Sequence, residues 1–131
     1  MSEKDNVSAV TKIYDAFGKG DIPYIVSQLH DDVRWVVHMD KVVPTSGDWS
    51  GKSKVPGFFQ ALGESSEVTA FVPNEFVAQG DTVVSMGDFG FKLRGNGKSG
   101  MSKWIFVWKF RDGKVASYEQ FIDSGLADAF R

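Results

Sequence analysis

The sequence predicts an α+β fold, with helices packed on one face of a curved sheet. Two observations predict it. Apolar residues recur at helical spacing in the first half of the chain, and strand-like apolar segments dominate the second half. The elements therefore run in the order α-α-β-α-β-β-β-β, with helices and strands segregated and not alternating as in a parallel α/β domain. The 131 residues read as one domain over 1–131, with no repeat, low-complexity tract or linker.

Val7, Val10, Tyr14 and Phe17 form one stripe of the first helix. The helix stops where Gly18 or Gly20 can take the left-handed conformation. Asp21 then caps a short second helix, with Pro23 in its first turn and Ile22, Ile25, Val26 and Leu29 as its apolar residues. Val33, Trp35 and Val37 alternate along a strand, and a loop containing Trp49 follows. Ser53 is expected to cap the third helix, whose first turn holds Pro56 and whose apolar face is Val55, Phe58, Phe59 and Leu62.

Beyond residue 65 the chain reads as strands. The first runs from Glu67 to Val77, interrupted at Pro73 by a bend or bulge. A turn leads to Thr82–Leu93, and a glycine-rich turn to Met101–Arg111. Asp112-Gly113 is a two-residue hairpin signal. Val115–Asp123 is the last strand, and residues 124–130 close the chain as a helical turn that Asp123 can cap.

The penultimate strand places Trp104, Phe106, Trp108 and Phe110 on one face and Ile105 and Val107 on the other. A sheet covered by helices on one side alone should alternate with polar residues on the other. Two apolar faces are accounted for if one encloses a pocket and the other joins a second copy in a homodimer.

Composition narrows the chemistry. The absence of cysteine excludes a disulfide framework and thiolate catalysis. With His30 and His38 as the histidines, no zinc site is expected. A formal charge of -2 with no basic run argues against nucleic acid. No apolar run is long enough to span a membrane, and the polar, acidic start is unlike a signal peptide, so a cytoplasmic protein is expected. Residues 51–54 and 95–100 contain Gly, Lys and Ser but lack phosphate-loop spacing.

The segments "VTKIYDAFGKGDIPYIVSQLHDDVRW", "GDWSGKSKVPGFFQAL", "VAQGDTVVSMGDF" and "WKFRDGKVASYEQFID" resemble the cone-shaped α+β fold of nuclear transport factors, steroid Δ-isomerases and SnoaL-like polyketide cyclases. The resemblance implies a cone, its curved mixed sheet covered on the concave face by the three helices of the N-terminal half. Tyr14 matches the isomerase tyrosine that donates to the substrate oxygen. The isomerase base falls at Val37 and its partner acid at Phe106; the cyclase acid and histidine fall at Gln120 and Phe106. The epoxide hydrolases of this fold carry an Arg and Asp pair on the middle strand, where this chain has Asp88 and no arginine. The known acid–base sets are thus largely replaced.

The resemblance sends Trp35, Val37, Trp104, Phe106, Tyr118 and Gln120 into the cone, with Val84, Met86, Asp88 and Gly90 from the middle strand. Hydrophobicity alone favours the opposite set on that strand: Val83, Phe89, Phe91 and Leu93. Trp49 could cover the pocket, and Phe59 could line it from the third helix. Tyr14 would polarise a ligand oxygen, and Asp88 or His38 would move a proton. The expected activity is that of a small-molecule binding protein or a cofactor-independent isomerase, cyclase or hydrolase acting on a small hydrophobic carbonyl or hydroxyl compound. The alternative is a non-catalytic ligand-binding or dimerisation module that has lost the acids.

Overall fold

In the computed structural model, which describes residues 2–131, helix α1 (Glu3–Gly18) opens with a capping box. Ser2 Oγ accepts from the Asp5 amide at 3.0 Å, and Asp5 Oδ2 accepts from the Ser2 amide at 3.1 Å. Its buried stripe includes Val10, Ile13 and Tyr14. Asp21 caps α2 (Ile22–Ser27) through the Tyr24 amide. Leu29 does not belong to this helix; it opens strand β1 (Leu29–His38).

The following loop contains a two-residue strand, β2 (Gly47–Asp48), that alternation is too short to reveal. Helix α3 (Val55–Ser65) has Pro56 in its first turn but is not capped by Ser53. Lys54 holds the cap position without a side-chain bond, because the Gly51 carbonyl accepts from the Lys54 and Val55 amides and turns the chain there. Strands β3 (Ser66–Gln79), β4 (Thr82–Leu93), β5 (Ser99–Arg111) and β6 (Lys114–Ile122) follow. Asp112 and Gly113 both take positive φ, at 52° and 78°, as a tight hairpin requires. Helix α4 (Ser124–Phe130) closes the chain, capped by Asp123 through the Gly125 amide.

The six strands form one mixed sheet in the order β2-β1-β6-β5-β4-β3. β1 and β6 are parallel and the other neighbours antiparallel. The rings of Trp104, Phe106, Trp108 and Phe110 all point to the helix side and are buried.

The middle strand corrects the expected facing. Val83, Ser85, Gly87, Phe89, Phe91 and Leu93 are buried against the helices. Val84, Met86 and Asp88 therefore face outward, in register with Val107, Ile105 and Lys103 of β5. Hydrophobic burial sets the register here. Gly87 has its own reason: the Trp104 ring lies across it, so a Cβ would stand 2.5 Å from the indole.

Strand β3 carries two bulges, with Thr69 and Asn74 as the extra residues opposite β4. The second is the irregularity expected beside Pro73. Each bulge reverses which residues face inward. Ser66 and Val68 face the helices before the first, Phe71 between the two, and Phe76 and Ala78 after the second, as their pairing with inward residues of β4 requires.

The outer face is apolar at its centre. Met86, Ile105 and Phe121 stand side by side across β4, β5 and β6, and Ile105 and Phe121 are 43% and 41% exposed. No helix among the described residues is long and apolar enough to cross a membrane.

Candidate functional site

Between the helices and the sheet lies a cavity of about 90 Å³. Helix α1 contributes Ile13, Tyr14 and Phe17, and α3 contributes Phe58, Phe59 and Leu62. The sheet supplies Trp35, Val68, Phe71, Phe89, Trp104, Phe106, Trp108, Tyr118 and Gln120. The sequence folds this way because each residue sits on the apolar face of its helix or at an inward position of its strand.

Two polar groups on this wall, Tyr14 and Gln120, are held by specific partners, while Trp35 Nε1 is buried without one. Tyr14 sits mid-helix on the buried stripe, and its oxygen accepts from Trp108 Nε1 at 2.9 Å. That bond leaves the phenol proton available for donation. Ser85 Oγ is fully buried and has no complete hydrogen bond. Burial pushes the Tyr14 phenol up, and the Ser85 hydroxyl and Trp108 oppose part of that rise. Tyr118 OH donates to Gln120 Oε1 at 2.5 Å, which orients the amide so that its nitrogen is the free end. Burial, with a smaller contribution from Tyr14, raises the Tyr118 phenol well above its ordinary value. Both phenols are therefore neutral at neutral pH.

No Asp, Glu, His, Lys or Arg lines the cavity among the described residues. No group of three acidic or imidazole side chains comes together as a metal site among them either. What the cavity offers is shape, aromatic surface and neutral hydrogen-bond donors. It holds no carboxylate or imidazole to take a proton.

Of the residues singled out in the sequence, Tyr14, Trp35, Phe59, Trp104, Phe106, Tyr118 and Gln120 meet on this wall. Val37 is buried but lies outside the lining. Trp49 packs on α3 against Phe58 and Gly57, its Nε1 donating to the Thr45 carbonyl, and does not line the cavity. Met86 lies on the outer face for the register reason given above.

Asp88 and His38 are corrected together. Asp88 accepts from Asn74 Nδ2 at 2.9 Å and pairs with Lys103 Nζ at 3.2 Å on the outer face. The Asn74 bond first, then Lys103, hold its carboxyl below the ordinary carboxylate range, opposite to the rise that burial would have caused. His38 also points outward, stacking on Phe121 at 4.6 Å and bonding Glu119 Oε1 at 2.9 Å. Neither reaches the cavity.

Several lining residues lie outside the set singled out from the sequence, Trp108 and Phe71 among them. Trp108 belongs to the same alternating face as Trp104 and Phe106, so the signal was present. Phe71 was not legible, because its direction depends on the bulge at Thr69.

The sequence profile of the SnoaL-like domain matches residues 10–118, and the chain belongs to that family. Among curated proteins no sequence matches. Solved structures do. An NTF2-like protein from Burkholderia xenovorans is 28% identical, with a TM-score of 0.90, covering 100% of this chain and 99% of its own. An NTF2-like protein from Burkholderia thailandensis is 25% identical, with a TM-score of 0.87 and the same coverage. TerC, co-crystallised with polyporic acid, is 26% identical, with a TM-score of 0.80, covering 96% of this chain and 98% of its own. The cone-shaped α+β architecture is thus that of the SnoaL-like and NTF2-like superfamily.

Proposed function

We propose that this domain binds a small, largely apolar molecule bearing a carbonyl or hydroxyl oxygen in the cavity between helices and sheet. The observation that carries this reading is the wall itself: aromatic rings with neutral donors at Tyr14 and Gln120 and no ionised group. Such a wall favours a neutral ligand, since a charged one would lose its hydration without a counter-charge. The co-crystallisation of TerC with polyporic acid supports a small organic ligand in a related chain. The test is titration with 2-naphthol followed by tryptophan fluorescence. Gln120→Leu should weaken binding about tenfold, the worth of one hydrogen bond to a buried ligand oxygen; equal affinity would reject the assignment of Gln120.

A second reading, a cofactor-independent isomerase-type enzyme, is favoured by the Trp108–Tyr14 bond. A phenol that accepts an N–H is a stronger donor to a substrate carbonyl. Without a base on the wall, proton movement would fall to water or to the substrate. Exchange of ligand C–H protons in D₂O, accelerated by the wild type and not by Tyr14→Phe, would support the enzyme over the binding protein.

The outer face supports a homodimer. The apolar row Met86–Ile105–Phe121 is flanked by charges of both signs, Arg34 with Glu119 and Lys103 with Asp88, a pattern that can meet its own copy about a twofold axis. Ile105→Glu should give a monomer in sedimentation velocity where the wild type is a dimer; a monomeric wild type would remove the proposal.

A further inference from the structure

The cavity is smaller than the roughly 150 Å³ void that accepts benzene in an engineered core. Something must move for a ligand to enter. Four residues, Tyr14, Phe17, Val68 and Phe71, line both this cavity and an open groove of about 500 Å³ between α1 and β3. They stand between the two spaces.

Phe71 is the member built to move. It is half-buried on β3, the edge strand. The bulges at Thr69 and Asn74 interrupt the ladder to β4 on either side of it. Tyr14, by contrast, is anchored by Trp108.

The place Phe71 occupies has the shape of a ring-binding slot. Its ring is parallel to the Trp104 indole, 5.0 Å away with 8° between the planes. Tyr14 and Phe17 meet it at 5.3 Å and 80° and at 5.4 Å and 70°. An indole face and two steep neighbours bound a flat volume, now filled by the protein's own phenyl group. Only the bulge at Thr69 aims Phe71 there; regular alternation from Val68 would have turned it to the outer face.

We propose that Phe71 is a specificity-determining plug. It holds the slot on Trp104 until a flat conjugated ring takes its place, and it swings toward the groove between α1 and β3 as the ligand passes. A saturated ring, thickened by axial hydrogens, fits the slot poorly. The proposal rests on the ligand-binding reading above and adds to it the route and the ligand's shape.

The test compares 2-naphthol with its saturated counterpart 2-decalol on the wild type and Phe71→Ala, by calorimetry, with stopped-flow fluorescence for the naphthol. The wild type should prefer naphthol at least tenfold. In Phe71→Ala naphthol should associate at least tenfold faster and the preference should shrink, since the enlarged void admits the thicker ring. Should the alanine variant not fold, 4-fluorophenylalanine at position 71 reports directly. Its ¹⁹F resonance should leave the ring-current field of Trp104 when naphthol saturates the protein. Binding by the wild type with an unmoved ¹⁹F signal, or with unchanged rate and preference in Phe71→Ala, overturns the plug and leaves the binding reading intact. No binding of either probe to either protein overturns both.

Discussion

Gly87 is the position where the architecture of the cavity can be tested with one methyl group. An alanine Cβ there would stand 2.2 Å from the Val72 carbonyl oxygen and 2.5 Å from Cζ2 of Trp104. The carbonyl belongs to the neighbouring strand and yields only by disturbing the ladder, and the indole must lift as well. Lifting it breaks the Trp104 Nε1 bond to the Asp88 carbonyl, 3.0 Å long. A buried N–H left without a partner costs about 1–3 kcal/mol, and forcing an extra methyl into a packed site about 1–3 kcal/mol more. Removing a strand glycine returns about 0.5–1 kcal/mol. The net expectation is a loss of about 1–5 kcal/mol, a large share of the roughly 5–15 kcal/mol that holds a domain together. Urea unfolding, followed by tryptophan fluorescence and far-ultraviolet circular dichroism, measures it. Gly63→Ala is the internal control: this helical glycine has nothing within 4 Å of a new Cβ, so alanine should stabilise by about 0.5–1 kcal/mol. If Gly87→Ala unfolds within about 0.5 kcal/mol of the wild type, Trp104 does not lie across Gly87 and the described floor of the cavity is wrong.

Two further outcomes follow from the same geometry. Tyr14→Phe removes the acceptor for Trp108 Nε1 and should cost about 1–3 kcal/mol in urea unfolding; a neutral effect would mean that the indole has another partner. Glu119 is held below its ordinary value of 4.5 by the His38 hydrogen bond first and by Arg34 next. Its folded-state pKa being depressed, its stabilising contribution is present above the ordinary glutamate range and is lost as pH falls through the folded-state value. Glu119→Gln should therefore be less stable than the wild type at pH 7, and the gap should close as acid protonates Glu119; a gap that does not narrow as pH falls would show that the charge is not responsible.

Much of the fold was legible because its periodicities are strong. The stripe Val7–Val10–Tyr14–Phe17 and the alternating rings of β5 fix which surfaces meet, and Asp21, Asp123 and Asp112-Gly113 mark boundaries by their own chemistry. What was hidden depends on single extra residues and on small ones. Gly87 and Ser85 weaken the inward signal of β4, which left room for the opposite facing that would have made Asp88 internal. The bulges at Thr69 and Asn74 leave little trace in composition, yet they decide that Phe71 and Phe76 both face the helices. The pair β2, two residues long, has no period at all. Alternation along the strands places Trp104, Phe106, Tyr118 and Gln120 on the cavity wall and Val37 inward beside it, whereas a charged side chain seated in an apolar segment misleads, because Asn74 and Lys103 receive Asp88 on the other side of the sheet.

The ligand wall carries no ionised group among the described residues. The most direct measurement is the dissociation constant of 2-naphthol between pH 5 and 8, a range in which neither cavity phenol, each raised by burial, ionises. A neutral wall binds 2-naphthol with the same constant throughout this range. A change of tenfold or more across that range would contradict it, placing an ionisable group in contact with the ligand.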